Sequence, residues 1–284
     1  MASTREIKRR IRGINNILQI TKAMEMVSTA KLRRARVRLE KTRPYFQTVV
    51  DDIQNILAIV GEGHPLLKKR DEKTALYIVI TSDKGLAGGY NANIQRLAEK
   101  TMADASSNSK LMVVGIKARD YFERRDYDIA GAYIGLSDEP TYRDARSLAS
   151  KAVELYRSGE VDSIRMIYTE FESTISYKPK VLQLLPSEDL KAKEGRVVKD
   201  SIEFEPSPES VLDYLIPMYV ETAIFGALIE AAASEQGSRR VSMENASDNA
   251  YDMIDDLETN YNRARQAAIT SEITEIVSAA DAVQ

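Results

Sequence analysis

Hydrophobic positions at the start of the chain recur in alternating steps of four and three residues. Between Ile7 and Val60 this stepping meets sixteen positions, of which twelve are apolar. A heptad pattern of that length predicts a coiled-coil helix rather than an ordinary amphipathic helix. Gly61 and Gly63 predict the end of the helix, and Pro44 predicts a kink or joint inside it.

The heptad is interrupted at one place, where a second row of apolar residues runs beside it. The interrupting residues are Thr21, Glu25 and Ser28, and the second row comprises Ile17, Ile20, Met24 and Val27. A helix that is apolar on more than one side has more than one packing partner. We therefore expect this part of the helix to meet something besides its coiled-coil partner.

The middle of the chain changes period and alternates short β-branched runs with amphipathic segments. Strands are predicted at 75–81, 110–115, 162–169 and 175–185, and helices at about 91–105, 117–125 and 142–158. This alternation is typical of a small doubly wound, Rossmann-like α/β domain, here over residues 72–205. Pro179 indicates that the last strand lies at an edge of the sheet.

A second long helix is predicted to occupy the C-terminal part of the chain. Its start is marked by Ser207 as the cap and Pro208 as the first helical residue, followed by the acidic Glu209 at the positive end of the helix dipole. The predicted domains are thus helix 1–60, α/β domain 72–205 and helix 208–284, with the two helices pairing antiparallel as one coiled coil. The longer second helix should project from about Gln266, and its exposed apolar tip suggests an enclosing sleeve of other chains.

Charge is distributed very unevenly, although the formal net charge is only −3. Residues 1–43 carry 13 Lys or Arg against 3 Asp or Glu, whereas residues 208–284 carry 4 Arg against 14 Asp or Glu. The two helices therefore complement each other in charge. A basic cluster at Lys31, Arg33, Arg34, Arg36 and Arg38 lacks the interspersed aromatics and the spacing of a nucleic-acid site, so we expect no nucleic acid partner.

Composition excludes several kinds of active site. There is no cysteine and a single histidine, His64, which lies in a predicted turn and is expected to be solvated. No run approaches the length of about 18 apolar residues that spans a bilayer, so we expect no direct membrane insertion. The N-terminus has no apolar segment typical of a secretory signal.

The segment from Thr81 to Asn91 follows the first strand, at the position where α/β domains bind phosphates. Its three glycines match neither dinucleotide-binding nor P-loop spacing, which favours a structural turn over nucleotide binding. Asp83, Asp138 and Glu139 are scattered in the sequence, without a partner base or nucleophile. We therefore predict no catalytic residues, no cofactor and no metal.

Three segments resemble signatures of the γ subunit of F-type ATP synthases, in the order of that family. The N-terminal segment is Ile20-Thr-Lys-Ala-Met-Glu-Met-Val-Ser-Thr-Ala-Lys-Leu-Arg-Arg-Ala35, the central one Ser82-Asp-Lys-Gly-Leu-Ala-Gly-Gly-Tyr-Asn91. The C-terminal segment runs from Glu258 to Val277. The resemblance covers essentially the whole chain, and the absence of a cysteine pair makes it similar to the bacterial type.

The resemblance implies a rotor shaft of a proton-translocating enzyme that couples rotation of the membrane ring to conformational cycling of catalytic β subunits. Implied partners are the α and β subunits, the ε subunit and the membrane ring, at the cytoplasmic face of the bacterial cell membrane. Implied β contacts are Lys22, Met24, Arg33, Arg34, Arg265, Gln266 and Thr270, and an implied foot near the ring comprises Phe204 and Glu205. The sequence does not distinguish H⁺ from Na⁺ as the coupling ion.

Two other interpretations remain open at this point. A non-rotary coiled-coil adaptor or stalk protein would also need two long paired helices. An enzyme built on the α/β domain would need a nucleotide or a catalytic group at the glycine segment.

Overall fold

The computed structural model describes residues 4–61, 64–173, 176–187, 190 and 204–281. Five helices and five strands lie in these residues. In chain order they are α1 Thr4–Val60, β1 Thr74–Ile80, α2 Tyr90–Ala103, β2 Asn108–Val114, α3 Ile116–Glu123, β3 Ile129–Tyr133, α4 Tyr142–Arg157, β4 Ser163–Phe171, β5 Tyr177–Leu185 and α5 Pro208–Asp281. The long helices predicted at both ends are confirmed, and α1 and α5 continue through Pro44 and Pro217.

The chain divides into two compact units, and each takes part of α1 and part of α5. We call Met1–Ser28 with Arg240–Gln284 the terminal unit, and Thr29–Arg239 the central unit. The domain division predicted from the sequence, at 1–60, 72–205 and 208–284, follows the helices instead and stays a prediction.

In the terminal unit the two helices run antiparallel. Thr21 of α1 contacts Ser247 of α5, while Ile14, earlier in α1, lines a cavity with Leu257, later in α5. The interrupting residues Thr21 and Ser28 are buried. The second apolar row points outward instead, with Ile17, Ile20 and Val27 exposed and Met24 half-buried. This outward row is available to a further partner, as the pattern indicated.

The central unit is built on one mixed sheet with the order β3-β2-β1-β4-β5. The first four strands are parallel, and β5 pairs antiparallel with β4 at the edge, placing Pro179 opposite Thr169. β1 is almost fully buried, as is usual for a parallel strand covered on both faces. The doubly wound fold class is therefore confirmed.

Helices cover both faces of this sheet because strand side chains alternate in direction. Tyr77 and Val79 of β1 face one core, which contains Ile94 of α2 and Phe122 of α3. Leu76, Ile78 and Ile80 of β1 face the other core, which contains α4 together with the last turns of α1 and the first turns of α5. The long helices thus begin or end inside the core of the α/β domain.

Two expectations were wrong in this unit. The sequence reasoning missed β3, whose residues Ile-Ala-Gly-Ala-Tyr lack a β-branched run. His64 is buried rather than solvated, since its ring packs beside the second turn of α5, with Nε2 3.3 Å from Asp213 Oδ1.

Ser207 caps α5 as predicted, because its Oγ accepts from the amide of Ser210 at 3.2 Å. By length and composition, α5 contains one stretch that passes as a membrane span. However, 61% of that stretch is buried inside the protein, as in a core helix.

Candidate functional site

The predicted contact residues near the C-terminus lie on an unpaired part of α5. Ala264 is the last half-buried position among the residues of α5 whose exposure the structure describes, and Arg265, Gln266 and Thr270 are exposed. Thr270 donates only back to its own helix, to the Gln266 carbonyl at 2.9 Å. The apolar residues beyond them, Ile269, Ile273, Ile276 and Val277, are each about half exposed or more. The overhang therefore starts where the sequence predicted it.

Lys22 and Met24 lie on α1 in the terminal unit. The Lys22 ammonium is 3.2 Å from Glu25 of the same helix, and this hydrogen bond raises the pKa of the lysine. Lys22 is exposed and Met24 half-buried. Since Lys22 is bonded only to its own helix among the described contacts, its charge can still serve a partner.

Arg33 and Arg34 lie on the exposed face of α1 in the central unit. The Arg34 guanidinium is 3.4 Å from Glu139, in the loop between β3 and α4, and Arg38 donates to the carbonyl of Pro140 in the same loop. Arg33 makes no ion pair with the residues that the structure describes. Within the basic cluster, Arg34 and Arg38 are therefore bonded to a loop of the α/β domain, whereas Arg33 is available to a partner.

Asp83, Asp138 and Glu139 are scattered in the sequence, but the structure brings all three to this loop, where Asp83 accepts from the hydroxyl of Ser137. The expectation of scattered carboxylates was therefore wrong. Asp138 contacts the ammonium groups of Lys31 at 2.9 Å and Lys84 at 3.1 Å, and accepts from Gln236 at 3.2 Å. Burial raises the pKa of Asp138, but the hydrogen bonds from the two lysines outweigh it and hold the pKa below its usual value. The arrangement is a set of ion pairs between helices and loops.

Phe204 and Glu205, the predicted foot residues, differ in their surroundings. Phe204 is half-buried and packs against the larger core. Glu205 is exposed. Phe204 therefore has a structural role in the domain, whereas Glu205 is available at the surface.

The glycine segment lies at the carboxyl end of β1, where the order of the strands reverses and α/β folds bind ligands. Here Asp83 occupies the place that an anion would take. Its Oδ1 accepts from the amides of Ile116, at the start of α3, and Gly135 at 3.1 and 3.0 Å, and its Oδ2 accepts from the Ser137 hydroxyl at 2.9 Å. The positive end of α3 is thus satisfied by the chain itself.

Helix α5 crosses the same segment and bonds to its backbone. The Arg239 guanidinium donates to the Gly85 carbonyl at 3.1 Å, and the Ser238 hydroxyl donates to the Ala87 carbonyl at 2.7 Å. Arg239 also pairs with Glu235, one turn earlier, at 2.7 Å, and both side chains are buried. The segment that resembles a phosphate loop therefore serves as a docking surface for α5.

Sequence reasoning missed the pair formed by Glu235 and Arg239. Burial raises the pKa of Glu235 to about 7, against the opposing effect of Arg239. A glutamate and an arginine four residues apart within the apolar part of a helix are a signal that would have found it. Among the described residues, no group of three or more His, Asp or Glu side chains is placed to hold a metal.

Comparison with known proteins gives consistent matches along the whole chain. The sequence profile of the family described as ATP synthase matches residues 3–283. The ATP synthase gamma chain of Alkaliphilus metalliredigens is 48% identical over 284 residues, covering 98% of both chains. A gamma chain of Acetobacterium woodii, described as sodium ion specific, is 42% identical and covers 99% of both.

Solved structures agree. A chain of the Tetrahymena thermophila mitochondrial ATP synthase, from a structure of its central stalk and c-ring, is 28% identical with a TM-score of 0.62, covering 80% of this chain and 99% of that one. A chain of the Euglena gracilis mitochondrial enzyme has a TM-score of 0.72 over 99% of this chain and 94% of that one. Its 22% identity supports the fold alone.

Proposed function

Because the chain belongs to the ATP synthase γ-chain family, we propose that its terminal unit turns inside a ring of alternating α and β subunits. As a member of this family the chain is a non-catalytic stalk subunit, the rotor shaft of an F-type ATP synthase, and a peripheral member of that complex. The non-rotary adaptor interpretation is not favoured by these relatives. The observation that carries the proposal is the apolar tip of α5, where Ile273 and Ile276 are more than half exposed.

Catalysis in this proposal takes place on the β subunits. The shaft acts by presenting a different surface to each β subunit as it turns. The charged groups beside the glycine segment support that division, because Asp83, Lys84 and Asp138 are engaged in ion pairs and backbone bonds within the chain.

The remaining partners are the ε subunit and the membrane ring, at the cytoplasmic face of the membrane. We assign the foot toward the ring to Glu205, with Phe204 anchoring that segment to the core. The division into helix 1–60, α/β domain 72–205 and helix 208–284 matches this assembly, with the helices as shaft and the domain as base. Which ion the complex moves depends on the ring.

Contacts with β are proposed at two places. In the terminal unit they are Lys22 and Met24 on α1, and Arg265, Gln266 and Thr270 on the overhang. In the central unit they are Arg33 and Arg34. Exposure supports all of these except Met24, which is half-buried, and the positive charges suit an acidic segment of β.

Reversing the exposed charges of the central unit tests this assignment. We expect R33E/R34E, in the assembled enzyme in membrane vesicles, to lower the ATP-driven membrane potential at least about twofold at an equal hydrolysis rate, because like charges then face each other. R36E is the matched control, since Arg36 lies on the same helix and pairs with Glu40 at 3.4 Å. Equal potentials for the two variants would remove Arg33 and Arg34 from the contact.

A further inference from the structure

A groove lies between the two helices of the terminal unit and is open on one side. Its cavity has a volume of about 450 Å³. Most of its lining is apolar, and Ile17 and Met253 are more than half exposed. The lining residues are Arg10, Gly13, Ile14 and Ile17 of α1 and Met253, Asp256 and Leu257 of α5. The chain thus leaves an apolar groove in contact with water, beside the contact between its own helices.

Gly13 makes this groove wider than the packing of the chain requires. Glycine in the middle of a helix destabilises that helix relative to alanine, because the unfolded backbone has more freedom to lose. A Cβ atom added at Gly13 would meet nothing within 4 Å among the described residues outside its own turn of helix. The packing of the chain therefore does not explain this glycine, whereas a partner that enters the groove would.

Gly13 also extends the second apolar row of α1. The row continues through Ile17, Ile20, Met24 and Val27, in alternating steps of four and three residues. This spacing keeps the residues on one stripe of the helix, which is the pattern that receives another helix. Helix α5 packs on a different stripe of α1, the one with the buried Thr21 and Ser28. The second row can therefore receive a partner helix.

The position of the groove along the shaft indicates the partner. Met24, which is part of the row, is a proposed β contact, and Gly13 lies about 16 Å from it toward the overhang, at 1.5 Å per residue. On the other wall of the groove, Leu257 lies about 12 Å before Arg265, where the next proposed β contacts begin. The groove thus lies between the two sets of β contacts proposed for the terminal unit.

We propose that the groove at Gly13 receives apolar side chains from a helix of a β subunit. The identity of this partner rests on the proposed function. The two charged residues of the lining, Arg10 and Asp256, are exposed and opposite in sign, so they favour no net charge in the partner. Because the groove and the row lie on one side of α1, only a β subunit that faces this side can fill the groove. The contact therefore stabilises one angle of the shaft relative to each β subunit.

Filling the groove from within the chain tests this proposal. G13L places a leucine side chain in the groove and replaces glycine by a good helix former, so the denaturant midpoint of the purified chain should not fall. In a reconstitution titration, G13L should bind α and β subunits at least about tenfold more weakly, because the side chains of the partner are excluded.

G13A and Q19L are the matched controls. G13A removes the cost of glycine in the helix but adds only a methyl group, so its binding should stay within about twofold of the parent chain. Q19L adds the same leucine at an exposed position of the same helix. Position 19 points away from the groove, because two residues turn the helix by about 200° from Ile17. Q19L should also bind within about twofold of the parent chain, since the groove stays empty.

A photoreactive label identifies the partner. The chain has no cysteine, so R10C supplies a single thiol at an exposed residue of the groove. This thiol is labelled with benzophenone maleimide before reconstitution, and we expect mass spectrometry of the irradiated complex to find a product with a helix of the β subunit. I273C, on the exposed overhang, is labelled in the same way and tests the enclosing ring independently.

The outcomes separate the groove from the ring. Binding of G13L like the parent chain, or binding of Q19L as weak as that of G13L, overturns the groove as a contact. A product of R10C with an α subunit, an ε subunit or a second copy of this chain overturns the assigned partner. If I273C cross-links to α or β while R10C does not, the groove proposal fails and the ring stands. If neither variant cross-links to α or β, the proposed function fails as well.

A fall in the denaturant midpoint of G13L would leave the decision to R10C, because that variant keeps the groove unfilled before labelling. Its product with β would then support the proposal, and the absence of that product would overturn it.

Discussion

A single buried carboxyl, that of Glu235, gives the central unit a pH-dependent stability. Its pKa is raised from 4.5 to about 7, mainly by burial, while Arg239 opposes the rise and Asp138 and Asp83 add to it. A carboxyl with a raised folded-state pKa stabilises the fold when protonated. Its contribution is therefore full below about pH 4.5 and is lost as the pH rises through about 7, amounting to roughly 3 kcal/mol.

We expect E235Q to reduce the fall in unfolding free energy between about pH 5 and pH 8, measured by denaturant titration of the purified chain. E244Q is the control, because Glu244 pairs with Arg240 in the same helix at the same spacing but is exposed. E244Q should keep the dependence of unfolding free energy on pH that the parent chain shows. A parent-like slope in E235Q would show that Glu235 titrates normally.

Among the secondary-structure elements, the junction from β2 into α3 depends on the absence of a side chain at Gly115. This residue has φ of +90° and ψ of 146°, a region that is essentially restricted to glycine. A Cβ atom there would lie 2.5 Å from the Thr81 carbonyl oxygen and 2.8 Å from that of Ser82. Both oxygens belong to the backbone of the glycine segment, so they cannot move aside by rotation of a side chain.

We expect G115A to lower the unfolding free energy by about 3 kcal/mol or more, because it combines backbone strain with a steric clash. G135A is the control that measures the backbone strain without the steric clash. Gly135 also has positive φ, at +79°, but nothing lies within 4 Å of an added Cβ. Its expected loss is about 1 kcal/mol, and equal losses in the two variants would show that the clash relaxes.

The same elements show what the sequence could predict. The helices α1 and α5 and the strands β1 and β2 follow from local patterns, since periodicity and β-branched runs are properties of adjacent residues. β3 lacks such a pattern and exists because β2 offers it an edge. The burial of His64 and the gathering of Asp83 and Asp138 depend on contacts between residues far apart in the chain, which no local pattern encodes.

The predicted contact residues divide in a similar way. Those on the overhang could be placed from helix length alone, because Arg265 lies beyond the paired part of α5. The surroundings of the contact residues on the basic cluster could not be predicted, since the charge distribution along the sequence suggested that the acidic C-terminal helix neutralises these positive charges. The structure instead pairs Lys31 and Arg34 with Asp138 and Glu139 in a loop of the α/β domain.

For the whole molecule, the proposed assembly depends on surface that the chain itself leaves uncovered. Ile273 and Ile276 are 56% and 64% exposed. Two such residues on an unpaired helix contribute little to folding of the free chain, but they would lose water contact inside a sleeve of α and β subunits. Their energetic effect should therefore appear in the complex.

We expect I273N/I276N to unfold like the parent chain in denaturant. In a reconstitution titration, the variant should bind α and β subunits at least about tenfold more weakly, because full burial of each isoleucine contributes about 1.5–3 kcal/mol. The control is I254N, because Ile254 is half-buried in the paired part of α5 in the terminal unit, and its loss should lower the stability of the free chain. Parent-like assembly of I273N/I276N would mean that the tip remains in water within the complex. The apolar tip would then no longer support the enclosing ring, and the proposal would rest on the family membership and on the exposed charges of α1.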